Sequence, residues 1–131
     1  MQLGYTILYV PDVPRAVAFY EAAFGLELAF MHPSCDFATL KTGDTALSFC
    51  SRQLLQAQGK LPSAPDADRP CFEIALTTHD VAGALDRAVR AGATLKQSPE
   101  LMSWGQTVAF VADPDGFWVE LCTPVEPSDS A

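Results

Sequence analysis

One order of elements occurs twice in this chain, and that repetition constrains the fold more than any other feature. Tyr5-Thr-Ile-Leu-Tyr-Val-Pro-Asp12-Val13 and Glu73-Ile-Ala-Leu-Thr-Thr-His-Asp80-Val81 are strand-like runs that end in the same Asp-Val pair, 68 positions apart. An amphipathic stretch follows each run: Val13, Ala16, Val17, Tyr20 and Phe24 in the first, Val81, Ala84, Leu85 and Ala88 in the second. Asp12 and Asp80 stand where a helix N-terminus needs an acceptor, and Gly25 and Gly92 where its C-terminus needs a left-handed residue. Strand candidates come next in each half. They are Leu28–Met31, Phe37–Lys41 and Ala46–Cys50, then Thr94–Gln97, Val108–Ala112 and Trp118–Cys122. Tight turns, Thr42-Gly-Asp-Thr45 and Asp113-Pro-Asp-Gly116, separate the last two strands of each half.

The spacing therefore predicts an α+β protein of two tandem βαβββ modules. Module one spans 1–50, a linker 51–70, module two 71–124 and a tail 125–131. At 131 residues the whole is read as a single domain. The linker contains Pro62, Pro65 and Pro70, and its Leu54-Leu55 pair suits a turn of helix. Eight basic against sixteen acidic residues leave a net charge of −8, which disfavours nucleic acid and an anionic membrane surface as partners. No apolar run approaches the ~20 residues of a membrane span, and no basic-then-apolar leader opens the chain. The four cysteines form no CxxC and read as reduced thiols, which leads to an expected cytoplasmic location. Phosphate-cradling, zinc-helix and nucleophile-elbow motifs are absent from the sequence.

Val10-Pro-Asp-Val-Pro-Arg-Ala-Val-Ala-Phe-Tyr20 and Val108-Ala-Phe-Val-Ala-Asp-Pro-Asp-Gly-Phe-Trp-Val-Glu-Leu121 resemble the vicinal oxygen chelate superfamily, the glyoxalase, bleomycin-resistance and extradiol dioxygenase group. Trp104-Gly105 is similar to a Trp-Gly found in some antibiotic-binding members. The resemblance covers nearly the whole chain apart from the linker and tail. It implies two modules that curl a mixed sheet into a ligand cup, and a homodimer. It also implies a divalent-metal site at four positions, which here fall on Tyr5, Ser48, Glu73 and Glu120. The repeat supports that placement, since Tyr5 matches Glu73 and Ser48 matches Glu120. A phenol and a hydroxyl are poor ligands, and no His occupies any of the four positions, so the expectation is no metal and no cofactor.

Strand alternation groups the cup-facing side chains as Tyr5, Ile7 and Tyr9, then Ser48 with Cys50, then Cys71 with Glu73, then Trp118, Glu120 and Cys122. The opposite faces, with Leu8, Leu47, Phe49, Ile74, Leu76, Val119 and Leu121, read as core. The ligand-binding candidates are Tyr5, Ile7, Ser48, Cys50, Glu73, Trp104, Trp118 and Glu120, with Gln106 as a further hydrogen-bonding group. Glu73 and Glu120 are the candidates for general base. The resemblance, read with these residues, implies two functions. One is metal-free sequestration of a small aromatic or cationic molecule of the antibiotic type, with aromatic rings for stacking and two carboxylates for an amine. The alternative is a divalent-metal-dependent lyase, isomerase or epimerase using Glu73 or Glu120. A third, degenerate case is an interaction module whose cup takes no ligand.

Overall fold

The computed structural model describes residues 1–125, so all but the first residue of the expected tail lies outside the described residues. It divides into two compact units, Met1–Ala64 and Pro65–Ala131.

In the first unit, β1 (Tyr5–Val10) leads through Asp12 into α1 (Val13–Phe24). The Asp12 carboxylate accepts the Arg15 backbone N–H at 3.0 Å, and Pro14 fits the first turn because its missing N–H would have no helical partner. Gly25 ends the helix at φ 68°, and its N–H returns to the Glu21 carbonyl. Strands β2 (Glu27–Met31), β3 (Phe37–Lys41) and β4 (Ala46–Ser51) complete a mixed sheet of order β1-β4-β3-β2, with β1 parallel to β4 and the rest antiparallel. Alternation decides burial on the edge strand β1. Leu8 and Val10 are fully buried, whereas Tyr5, Ile7 and Tyr9 stay open on the other face. The first stretch of the expected linker is ordered: Ser51 caps α2 (Arg52–Ala57) by accepting the Leu54 N–H at 2.9 Å, and Leu55 is buried.

The second unit repeats the order. β5 (Glu73–Thr77) is followed by α3 (Val81–Ala91), capped by Asp80 at one end and by Gly92 at φ 119° at the other. Strands β6 (Thr94–Leu101), β7 (Thr107–Ala112) and β8 (Trp118–Cys122) give the order β5-β8-β7-β6. β6 runs four residues beyond the expected Gln97, through Pro99. It can do so because it is an edge strand whose register shifts twice, so Pro99 need not donate to a ladder. The Asp113-Pro-Asp-Gly116 turn is held by the Asp113 carboxylate, which accepts from the Asp115 and Phe117 N–H groups at 2.9 Å each. Gly116, at φ 103°, lies against Pro65, where a Cβ would stand 3.3 Å from the Pro65 carbonyl oxygen. Among the described residues no helix is long and apolar enough to cross a membrane.

Candidate functional site

The chemistry concentrates in the second unit. β5 and β8 are parallel neighbours in which Glu73 pairs with Trp118 and Ala75 with Glu120. Because Glu73 and Ala75 are two residues apart, as are Trp118 and Glu120, the pairing puts both carboxylates and the indole on one face. Phe110 of β7 stands opposite Glu120 and joins that face. The Glu73 carboxyl is held above its usual range, first by partial burial and then by the charge of Glu120. The Cys122 thiol is pushed up to about 11, by burial first and then by the charge of Glu120, its hydrogen bond to Glu120 and the charge of Glu73. It stays protonated at neutral pH and donates to the Leu76 carbonyl at 3.9 Å rather than acting as a nucleophile.

Pro70, Cys71, Phe72, Glu73, Phe110 and Trp118 line an open hollow of about 270 Å³. Glu73 and Trp118 were expected here. Phe72, Pro70 and Phe110 were not singled out by sequence reasoning. The only signal for Phe110 was its alternation along β7 in step with Trp118 and Glu120 across the ladder. Trp118 is fixed on several sides: its Nε1–H donates to the Ala67 carbonyl at 2.7 Å, and its ring lies 5.5 Å from that of Phe110, tilted by 49°. The Lys96 ammonium lies 6.0 Å from the indole centroid and 3.4 Å from Asp68. Residues 65–72 thus form a strap along the hollow, pinned by Ala67, Asp68 and Phe72, whose ring meets Phe117 at 6.1 Å.

Trp104 does not line this hollow. It is half exposed in the β6–β7 loop, and its indole N–H donates to Gln106 Oε1 at 2.7 Å while Gln106 donates to the Thr123 carbonyl at 2.8 Å. The two loop candidates are therefore partners of each other.

In the first unit Tyr5, Ile7 and Tyr9 are open, but Ser48 and Cys50 are buried. The Ser48 hydroxyl lies 2.9 Å from Thr39 Oγ1, directly across the ladder, and is already satisfied there. The Cys50 thiol is pushed up by burial and by Asp36, with Lys60 acting in the opposite direction. Cys35 and Cys71 are exposed and Cys50 and Cys122 buried, all four free. A thiol-reactive dye on the native protein is expected to label two cysteines quickly and the other two only after unfolding. Fast labelling of all four would contradict this placement.

The residues do not fit the divalent-metal site that the resemblance implies. Its second-unit positions hold two carboxylates, while the first-unit positions hold an exposed phenol and a hydroxyl engaged by Thr39. Among the described residues no three His, Cys, Asp or Glu side chains gather as a ligand group.

Comparison with known proteins bears on the fold and the family. The chain superposes on a glyoxalase-related enzyme from Fulvimarina pelagi with a TM-score of 0.81 at 23% identity, covering 95% of this chain and 88% of that one. A glyoxalase/bleomycin resistance protein/dioxygenase family enzyme from Burkholderia phytofirmans PsJN gives 0.76 at 22% identity, covering 96% and 100%. A superfamily member from Sphaerobacter thermophilus DSM 20745 gives 0.72 at 25% identity, covering 95% and 98%. No match was found among curated protein sequences. A family model matches residues 2–121, nearly the whole chain, and the repeated βαβββ order agrees with it: the protein belongs to the glyoxalase/bleomycin resistance protein/dioxygenase superfamily.

Proposed function

We propose that the protein binds and sequesters a small aromatic amine, without a metal, in the hollow of its second unit. The observation that carries this reading is one hollow walled by Phe72, Phe110 and Trp118 with the Glu73 carboxylate among them. Rings supply stacking area, and the carboxylate supplies a counter-charge. The charge of Glu120 raises the cost of ionising Glu73, and a bound cation relieves that repulsion. A volume of about 270 Å³ lies just below the usual range of ligand pockets, about 300–1,000 Å³, which suits one or two fused rings. The net charge of −8 assists the approach of a cation. Sequestration of an antibiotic-like compound is the biological role proposed on this basis.

The test is calorimetric titration with naphthylethylamine, before and after exhaustive chelation. Binding at one equivalent, unchanged by chelation and with the amine recovered intact, is the expected result. Binding that disappears on chelation and returns with Mn²⁺ or Zn²⁺ would overturn the metal-free reading.

One observation favours a second reading. A carboxyl held above its usual range is a stronger base near neutral pH, so Glu73 suits proton abstraction from a bound substrate. That reading requires conversion of the ligand, lost in Glu73→Gln, where sequestration requires none.

A further inference from the structure

The hollow's indole is shared, and this narrows the ligand class within the reading just given. β5 and β6 are the two opposite edges of the second sheet, with Trp118 on β8 between them. Glu73 approaches Trp118 from the β5 side, as its direct ladder partner. Lys96 approaches from the β6 side, with its ammonium 6.0 Å from the ring centroid. It belongs to the wall of a neighbouring space of about 320 Å³, together with Ala67, Thr94, Ala112 and Asp115, and not to the wall of the Glu73 hollow. Its side chain is mostly buried, and the Asp68 carboxylate on the strap holds it at 3.4 Å.

We propose that Lys96 is a specificity-determining residue: it occupies the far side of Trp118 and so reserves the near side for an uncharged ring. A ring attracts a cation through its negative π-face. An ammonium already drawing on that electron density weakens the attraction of the opposite face, and it repels a second positive charge placed there. An electron-rich neutral ring suffers neither penalty. The positive charge of the ligand then has its favourable place at Glu73, on the other side of the hollow. The ligand class is bipartite: a neutral one- or two-ring aromatic carrying a cationic side arm. Compounds whose charge is delocalised within the ring are disfavoured, although their net charge and size are the same.

Three two-ring probes separate these cases by calorimetric titration: naphthylethylamine, with the charge on an arm; N-methylquinolinium, with the charge in the ring; and naphthalenemethanol, with no charge. The arm-charged probe is expected to bind about tenfold more tightly than either of the others. In Lys96→Met, checked for an unchanged circular dichroism spectrum and melting temperature, the ring-charged probe is expected to gain about fivefold and the arm-charged probe to change little. Lys96→Arg should restore the wild-type preference, since it keeps the charge. Asp68→Asn keeps the ammonium but removes its strap partner. It should leave the preference intact or sharpen it, whereas a purely structural role for the ion pair would make it behave like Lys96→Met. A ring-charged probe that binds wild type as tightly as the arm-charged one overturns the role of Lys96 and leaves the hollow as a binding site. Failure of all three probes to bind overturns the hollow itself, and this proposal with it.

Discussion

Glu73→Gln is expected to weaken binding of an aromatic amine by about tenfold to a hundredfold and, at neutral pH, to leave the protein more stable. The first effect is the loss of a charge-assisted hydrogen bond, typically about 1.5–3 kcal/mol, and Glu73's exposure places it toward the lower end. The second effect follows from the same electrostatics with the opposite sign. The carboxyl is held above its usual range in the folded protein, so in the window between the ordinary and the raised value the native state binds more protons than the unfolded state. Stability is then fullest below the ordinary value and falls as pH rises through the raised one. Glutamine has no charge to desolvate or to set against Glu120, so the variant escapes that loss. Urea denaturation at about pH 4 and about pH 8 checks this: the variant should gain on wild type only at the higher pH. Amine affinity of the wild type should fall as pH drops through the same window, because protonation removes the counter-charge. A variant that binds as tightly as wild type would remove Glu73 from the site.

Phe49→Ala is expected to destabilise the first unit by about 3–5 kcal/mol. Phe49 is fully buried on β4, and its ring meets Tyr20 of α1 at 5.0 Å with a 59° tilt. β4 is hydrogen-bonded on both sides, to β1 and β3, so the backbone cannot move in to fill the space. A typical domain is stable by only about 5–15 kcal/mol, so the loss should appear as a large fall in the urea midpoint. Ile7→Ala on the open face of neighbouring β1 is the control, with an expected cost of about 1 kcal/mol or less. Equal losses at the two positions would contradict the assignment of faces.

Much of the fold was legible because its signals are local. Asp12, Gly25, Asp80 and Gly92 act at helix ends through atoms three or four residues away, so their identity and spacing suffice. The alternation that buries Leu8 and Val10 and opens Tyr5 and Ile7 needs only the period of a strand. The repeat carried these local signals into an order of elements, and the resemblance with strand alternation put Glu73 and Glu120 on the cup-facing side.

The walls of the hollow were not legible in that way. Phe72, Pro70 and Phe110 become neighbours of Glu73 and Trp118 only through the pairing of β7 with β8 and the course of the strap. The strap, in turn, is placed by contacts across some thirty to fifty residues, from Ala67 to Trp118 and from Asp68 to Lys96. Ser48 shows the same limit in reverse. Its position on an alternating strand marked it as a ligand contact, yet the cross-strand Thr39 takes up its hydroxyl and packing buries it. Sequence by itself determined the order of the elements, the helix ends and the two faces of the edge strand β1, because those depend on backbone period and on groups a few residues apart. The tertiary structure alone decided which side chains share a cavity and which are shielded, because those depend on register between strands distant in the chain.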